Sequence, residues 1–392
     1  MIELNGNRNT AKIFADKIDH PTKTQIASLL RDPAYADSKI RIMPDTHAGR
    51  NVAVGTTITL AGRVSPALVG VDIGCGMEVV FLNDTEADLE TLDRFIHQNI
   101  PCGTKIHDSP HKAFDLSSLC CHTKIDKTHA QRSLGTLGGG NHFIEIDRQT
   151  DGTLVLVIHS GSRRLGSDVA EFYQDLAYRE AHKKASKKAK QLRREYLDEN
   201  YNSRALRREK QRDTNIRREN AILEGAFFEQ YLHDLAIVTA YADANRRMMA
   251  DRITQAMGFS VKNRFSCIHN YIDTESMILR KGAISARRGE HVIIPLNMRD
   301  GAILATGLGN PDWNFSAPHG AGRICNRTEA GYRFSVAEFR QEMAGIYTTT
   351  ATEASIDECP MVYKDPKIIL KAITSTVTID EIIRPIYNFK AT

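Results

Sequence analysis

Between residues 167 and 257 the chain has no proline and a single glycine, Gly225, although both residue types punctuate the rest of its 392 residues. Proline deletes a helix hydrogen bond and glycine costs backbone entropy, so a stretch this long without them predicts two or three helices. Ser167 or Asp168 stands where a helix cap would. On either side the pattern changes to short apolar runs separated by glycine and small polar residues. VAVGTTITL (52–60), MEVVFL (77–82), FIEI and LVLVI around the turn DRQTDG, VIIP (292–295) and GAILATG (301–307) read as strands. Helices are predicted over residues 85–98, 336–345 and 366–374, the last two preceding a final strand. Strands before and after one helical block predict an α+β fold: a single domain of residues 1–392, with 167–257 as a basic helical insertion.

The same block carries the chain's charge asymmetry. Residues 183–218 hold 14 Lys or Arg against 5 Asp or Glu, and the remainder of the chain is net acidic. Tyr196 and Tyr201 are interleaved with the cations. A basic run with aromatics is a footprint for a phosphate backbone, although a solvated helical hairpin has the same composition. No apolar run approaches the roughly 18 residues that span a bilayer, and the first residues lack an apolar signal core, so a cytoplasmic protein without a membrane partner is expected. Seven cysteines without a CxxC pair do not make a disulfide framework, which predicts reduced thiols.

Chemistry is concentrated in six short motifs: MPDTHAG (43–49), VDIGCGM (71–77), LGGGNHFIEI (137–146), HSGSR (159–163), CIHN (267–270) and HGAGR (319–323). Asp72 and Cys75 sit three apart among glycines, a spacing that can turn a carboxylate and a thiolate towards one ion. His142, His159 and His269 each lie at the edge of a predicted strand or in a tight loop. One carboxylate, one thiolate and three imidazoles can hold one or two divalent ions, with the thiolate as a natural bridge. Such a mixed donor set does not choose among Mn²⁺, Zn²⁺, Co²⁺ and Fe²⁺. Cys102, His107, His111, Cys120, Cys121 and His122 also read as a ligand list, but their spacings match no common structural zinc pattern. LGTLGGGN (134–141) lacks the GK[ST] end of a phosphate loop, and its glycines offer close backbone approach to an anion instead. In HGAGR, His319 is followed by small residues that leave its ring accessible, and Arg323 supplies a cation. A neutral imidazole in that setting can attack an activated phosphorus.

The order and flanks of these motifs, with YKD (363–365) and RPIYNFK (384–390), resemble the signature of the RtcB family of RNA-splicing ligases over nearly the whole chain. The resemblance implies mixed β-sheets around a metal and nucleotide cleft with flanking helices. It implies joining of RNA ends with GTP, two Mn²⁺ ions and a guanylylated histidine. By that resemblance Asp72, Cys75, His142, His159 and His269 are the metal ligands, and His319 is the nucleophile. Asn141, Phe143, Glu145, Asn270, Pro295, Asn297, Met298, Gly320, Ala321 and Gly322 fall on nucleotide positions, and Lys390 closes over the nucleotide. The implied partner is RNA with a 3′-phosphate or 2′,3′-cyclic phosphate end and a 5′-hydroxyl end, and an archease-like activator belongs to the same picture. Two positions depart from the family pattern. Asn297 stands in PLNM where many members read PGSM, and Ala302 stands where a serine is usual, offering neither donor nor acceptor. PDWNFSAPHGAGR marks a shorter branch of the family. MPDTHAG, with His47, has no assigned role. The rival readings are a metal-dependent RNA-end phosphoesterase, which leaves HGAGR and Lys390 without a purpose, and a non-catalytic RNA-binding protein, which would have lost a ligand or His319.

Overall fold

The structure, a computed structural model, describes residues 1–111, 114–198 and 216–391. Seven strands form one antiparallel sheet, in the order Val261–Ile268, Gly76–Leu82, Leu154–Ser160, Phe143–Arg148, Val377–Lys390, Gly301–Gly307 and His291–Asn297. Every residue of Leu154–Ser160 is buried, which is why LVLVI is a continuous apolar run and not an alternating one. Val155 and Val157 face one cluster with Ile293 and Leu304, while Leu154, Leu156 and Ile158 face another with Leu92, Ile96, Met249 and Ile253.

A second sheet has six strands: Ile2–Asn5, Thr10–Ile13, Ile40–His47, Val54–Thr59, Ile278–Lys281 and Asn270–Asp273. Its pairs are antiparallel except Thr10–Ile13 with Ile40–His47. His269 is the single residue between Val261–Ile268 of the first sheet and Asn270–Asp273 of the second. The two sheets therefore meet at a histidine that the sequence marks as a metal ligand. With mixed sheets and packed helices the fold is α+β.

Two helix starts differ from the sequence reading. The helix predicted from residue 85 is Leu89–Asn99, because Asp88 is the cap and accepts from the Thr91 N–H. The long helix Arg163–Asp198 begins ahead of Ser167 and Asp168, so neither caps it. Residues 199–215, with Tyr201 and much of the basic run, lie outside the described residues, as does the Tyr196 side chain.

The helix Ala226–Met257 ends at Gly258, whose φ of 66° gives the left-handed turn that closes many helices. Its buried face supports the motif loops. Arg246, fully buried, donates to the Gly74 carbonyl at 2.8 Å and to the Ser160 carbonyl at 3.0 Å. Asn245 accepts from the Gly135 and Thr136 N–H groups and donates to the Gly161 carbonyl. A buried guanidinium is costly unless its donors are satisfied, so these carbonyls fix Arg246 as firmly as it fixes the loops. Among the described residues no helix is long and apolar enough to cross a membrane. All seven cysteines are free.

Candidate active site

A cleft of about 600 Å³ opens where the two sheets meet. Asp72 and Cys75 come from the turn before Gly76–Leu82, His142 from the turn before Phe143–Arg148, His159 from the end of Leu154–Ser160, and His269 from the inter-sheet junction. Adjacent antiparallel strands thus deliver four of these five side chains to one point. Cys75 Sγ lies 3.5 Å from His142 Nε2 and 3.2 Å from His159 Nε2, and His142 Nε2 lies 3.3 Å from Asp72 Oδ2. The ligand atoms form two groups of metal-binding size, Cys75 with His159 and His269, and Asp72 with Cys75 and His142. Cys75 belongs to both.

The tautomers suit ligation. His142 Nδ1 donates to the Leu137 carbonyl at 2.8 Å and His159 Nδ1 to the Asn141 carbonyl at 3.1 Å, which leaves each Nε2 a lone pair facing the cluster. Burial holds His159 and His269 well below the ordinary histidine value, so both rings are neutral. Burial and the neighbouring Asp72 carboxylate push the Cys75 thiol well above its usual range. A thiolate there needs a cation beside it. Gly161 belongs to the same arrangement: a Cβ on it would stand 2.1 Å from Asp72 Oδ1, so HSGSR carries glycine where the carboxylate passes.

His319 sits beside this cluster, its ring centroid 4.9 Å from that of His269. Its Nδ1 lies 2.6 Å from Oδ2 of Asp45, a fully buried carboxylate on the strand Ile40–His47. Asp45 accepts the Nδ1 proton, so the Nε2 lone pair of His319 is the free one. MPDTHAG, without a role in the sequence reading, is therefore the element that orients the HGAGR histidine. The two loops are further joined by Lys364 of YKD, whose Nζ donates to the carbonyls of Pro44 and Thr46. His47 also lines the cleft; burial lowers its pKa to about 4, and its Nδ1 donates to the Asp45 carbonyl.

Lys390 ends the strand Val377–Lys390, paired with Phe143, and is 4% exposed. Its Nζ lies 3.1 Å from Glu358, 3.2 Å from the Asn141 carbonyl and 4.8 Å from the Phe143 ring centre. Glu358 is the hub of a buried charge network. It also pairs with Arg323 at 3.1 Å and Arg327 at 2.9 Å, and accepts from the Tyr363 hydroxyl at 2.5 Å. Burial would raise its carboxyl, but Lys390, Arg327 and Arg323 together hold it below the ordinary value. The sequence reading named Lys390 and Arg323 but not Glu358, Arg327 or Asp45.

All the residues singled out for the nucleotide line this cleft: Asn141, Phe143, Glu145, Asn270, Pro295, Asn297, Met298, His319, Gly320, Ala321, Gly322 and Lys390. Of the five candidate ligands, Asp72, Cys75, His159 and His269 line it too, and His142 stands behind them. Asn297 has both ends of its amide engaged in its own turn, donating to Asp300 and accepting from the Arg299 and Asp300 N–H groups. Ala302 is buried opposite Pro295 in the sheet and does not line the cleft. Among the described residues, Cys120 alone of the six set aside as a ligand list enters a group of metal-binding size, with His233 and Asp234. The Asp234 carboxylate there already accepts from the Cys120 and Cys121 N–H groups and the Tyr173 hydroxyl.

A family model described as tRNA-splicing ligase RtcB matches residues 25–120 and 118–391. The chain is 30% identical over 414 residues to an RNA-splicing ligase RtcB1 from a strain of Escherichia coli, covering 95% of each. It is 29% identical over 414 residues to the RNA-splicing ligase RtcB of Escherichia coli K12, again covering 95% of each. Against the tRNA-splicing ligase RtcB of Aeropyrum pernix the identity is 26%, over 83% of this chain and 82% of that one. With motif order, fold and cleft in agreement, the chain belongs to the RtcB family.

Proposed function

We propose that this RtcB-family RNA ligase is GTP- and Mn²⁺-dependent and joins a 2′,3′-cyclic phosphate or 3′-phosphate RNA end to a 5′-hydroxyl end through a histidine–GMP intermediate, in RNA repair or tRNA splicing. The observation that carries this reading is the pairing of His319 with the buried Asp45 beside two metal-sized ligand groups that share Cys75. Asp72, Cys75, His142, His159 and His269 would hold two Mn²⁺ ions, with Cys75 common to both. Bound there, the ions supply charge stabilisation for the attacked phosphate and for departing pyrophosphate.

The chain's own groups then account for the steps. His319 Nε2 bonds to the α-phosphorus of GTP as the bond to pyrophosphate breaks, and the Nδ1 proton stays on the ring against Asp45, which balances the new positive charge. Water opens a cyclic phosphate to a 3′-phosphate, whose oxygen takes GMP from His319 and restores the neutral imidazole. The 5′-hydroxyl oxygen attacks the activated 3′-phosphorus, GMP leaves with the bonding pair, and the hydroxyl proton passes to water. Asn141, Phe143, Glu145, Asn270, Pro295, Asn297, Met298, Gly320, Ala321 and Gly322 would surround the nucleotide. Lys390 and Arg323, held in place by Glu358, would face its charge. We read residues 167–257 as the basic helical insertion of a single domain, holding RNA by its backbone with stacking from Tyr196 and Tyr201. A cytoplasmic site of action and an archease-like activator fit the same reading.

A phosphoesterase that only hydrolyses RNA ends would use the ligand groups but has no need of the Asp45–His319 pair. A non-catalytic RNA-binding protein needs neither. Incubation with α-labelled GTP and Mn²⁺, followed by a denaturing gel, separates the three. Covalent label on the intact chain, lost in His319→Ala, is the expected result. No label on the metal-loaded protein would refute the ligase mechanism, and label persisting in His319→Ala would refute the choice of nucleophile.

A further inference from the structure

Behind the cleft, one strand face buries two carboxylates side by side. Glu145 and Asp147 alternate along Phe143–Arg148, so both point to the same face, and they are 4% and 0% exposed. Glu145 lines the cleft and Asp147 does not. Glu145 accepts from the Asn388 side-chain amide and lies in the field of Lys390. Neither oxygen of Asp147 meets a hydrogen-bond donor among the described residues, and its partner across the ladder, Pro385, has no N–H to give. The titratable group that acts on Asp147 is Glu145, its neighbour two positions back on the same strand face. Two neighbouring carboxylates, both out of water, do not both ionise.

The surroundings decide where the shared proton resides. Glu145 has the Asn388 donor on one side and the Lys390 ammonium nearby, itself paired with Glu358. Opposite the pair on Leu154–Ser160 stand Val157 and Val155, which carry no charge. Burial and the adjacent Glu145 push the Asp147 carboxyl well above its ordinary value. Burial also raises Glu145, to about 7, against the pull of Asn388 and Lys390.

We infer that Asp147 holds this proton and donates it to Glu145, making Asp147 the positioning residue that keeps Glu145 an ionised double acceptor for the donor edge of a purine base. Guanine presents two adjacent donors on that edge, N1–H and the N2 amine. Inosine presents only N1–H, and adenine presents an acceptor at N1. An ionised Glu145 matches guanine alone, whereas a Glu145 that kept the proton for itself would not. The inference rests on the proposed GTP reading, adds to it that the base lies at Glu145, and names a residue outside the cleft that sets the base preference.

The test measures half-saturating GTP and ITP for covalent labelling at pH 7.5 in the parent chain, Asp147→Asn and Asp147→Leu. Asparagine keeps a donor towards Glu145 and adds no charge. It should hold GTP within about threefold of the parent and keep the preference over ITP. Leucine removes the donor, so Glu145 takes up the proton itself. Half-saturating GTP should then rise about tenfold or more, the preference over ITP should collapse, and the maximal labelling rate should change little. A merely structural Asp147 in an apolar setting predicts the reverse order, with leucine tolerated better than asparagine. Equal behaviour of the two variants, or preserved GTP preference in Asp147→Leu, would overturn the inference. Should the leucine variant not fold, Asp147→Ala removes the donor without adding bulk and reads the same difference. Parent protein that takes no label from GTP would instead refute the ligase mechanism, so the two failures are distinct.

Discussion

At the scale of single residues, the side chain with the most leverage on the chemistry is Asp45. It is fully buried, and its Oδ2 accepts a hydrogen bond from His319 Nδ1 across 274 positions of sequence. No spacing rule spans such a distance, so the motif that contains Asp45 was visible in the sequence while its purpose was not. The candidate metal ligands could be picked out for the opposite reason. Asp72 and Cys75 share one glycine-rich motif, each histidine stands in a strand-edge motif, and residue type alone suggests ligation. Glu358 was illegible because SIDECP resembles any surface turn, and only folding brings Arg323, Arg327 and Lys390 around it. Asp45→Asn should slow guanylylation by about 10²–10⁴, in line with loss of the orienting carboxylate in other histidine-based sites. GTP binding should stay within about threefold of the parent, since Asp45 contacts His319 and does not line the cleft. Single-turnover labelling and equilibrium binding of GTP together check this, and an unchanged labelling rate would remove Asp45 from the step.

At the scale of elements, strands buried on both faces were the easiest to read. Leu154–Ser160 and Gly301–Gly307 match their apolar runs closely, since nothing but a core strand accommodates such runs between turns. Helix starts were harder, because the cap that wins is decided by a hydrogen bond and not by composition, as Asp88 shows. The contact between HGAGR and the strand Ile40–His47 was hidden altogether. Gly322 has φ +77°, and a Cβ on it would stand 2.1 Å from the Asp45 carbonyl oxygen. Both conditions require glycine there, and the second is a clash with backbone that cannot rotate away. Gly322→Ala should therefore cost at least about 1–2 kcal/mol of stability from the left-handed conformation alone, with the clash in addition. Moving the loop off the strand also separates His319 from Asp45. A lowered melting temperature together with lost GTP labelling is expected, and a variant with both unchanged would show that this contact does not seat the nucleophile.

At the scale of the whole molecule, the helical block does two jobs that the sequence presents as one. Its second helix, Ala226–Met257, reaches into the core and ties Gly74, Ser160 and Gly161 through Arg246 and Asn245, so the geometry of the candidate metal site depends on residues far from any motif. The lack of proline and the single glycine announced the helix but not this support, which lives in two polar side chains on its buried face. The first helix, Arg163–Asp198, carries Lys183, Lys184, Lys187, Lys188 and Lys190 on exposed positions. Lys183 pairs with Glu180 and Lys184 with Glu224, ion pairs of exposed groups that are worth little individually and can yield to phosphates. If this face holds RNA, replacing these five lysines by glutamate should weaken binding of a single-stranded RNA across sequences. The slope of log affinity against log salt should shrink by about 0.7 for each phosphate that the protein no longer neutralises. Under the proposed mechanism, labelling of His319 uses GTP without RNA and gives an internal control for the integrity of the cleft. Titrations at several salt concentrations would measure the slope directly. A slope equal to that of the parent chain, with labelling intact, would place the RNA on another face and leave these five lysines as a solvated helix surface.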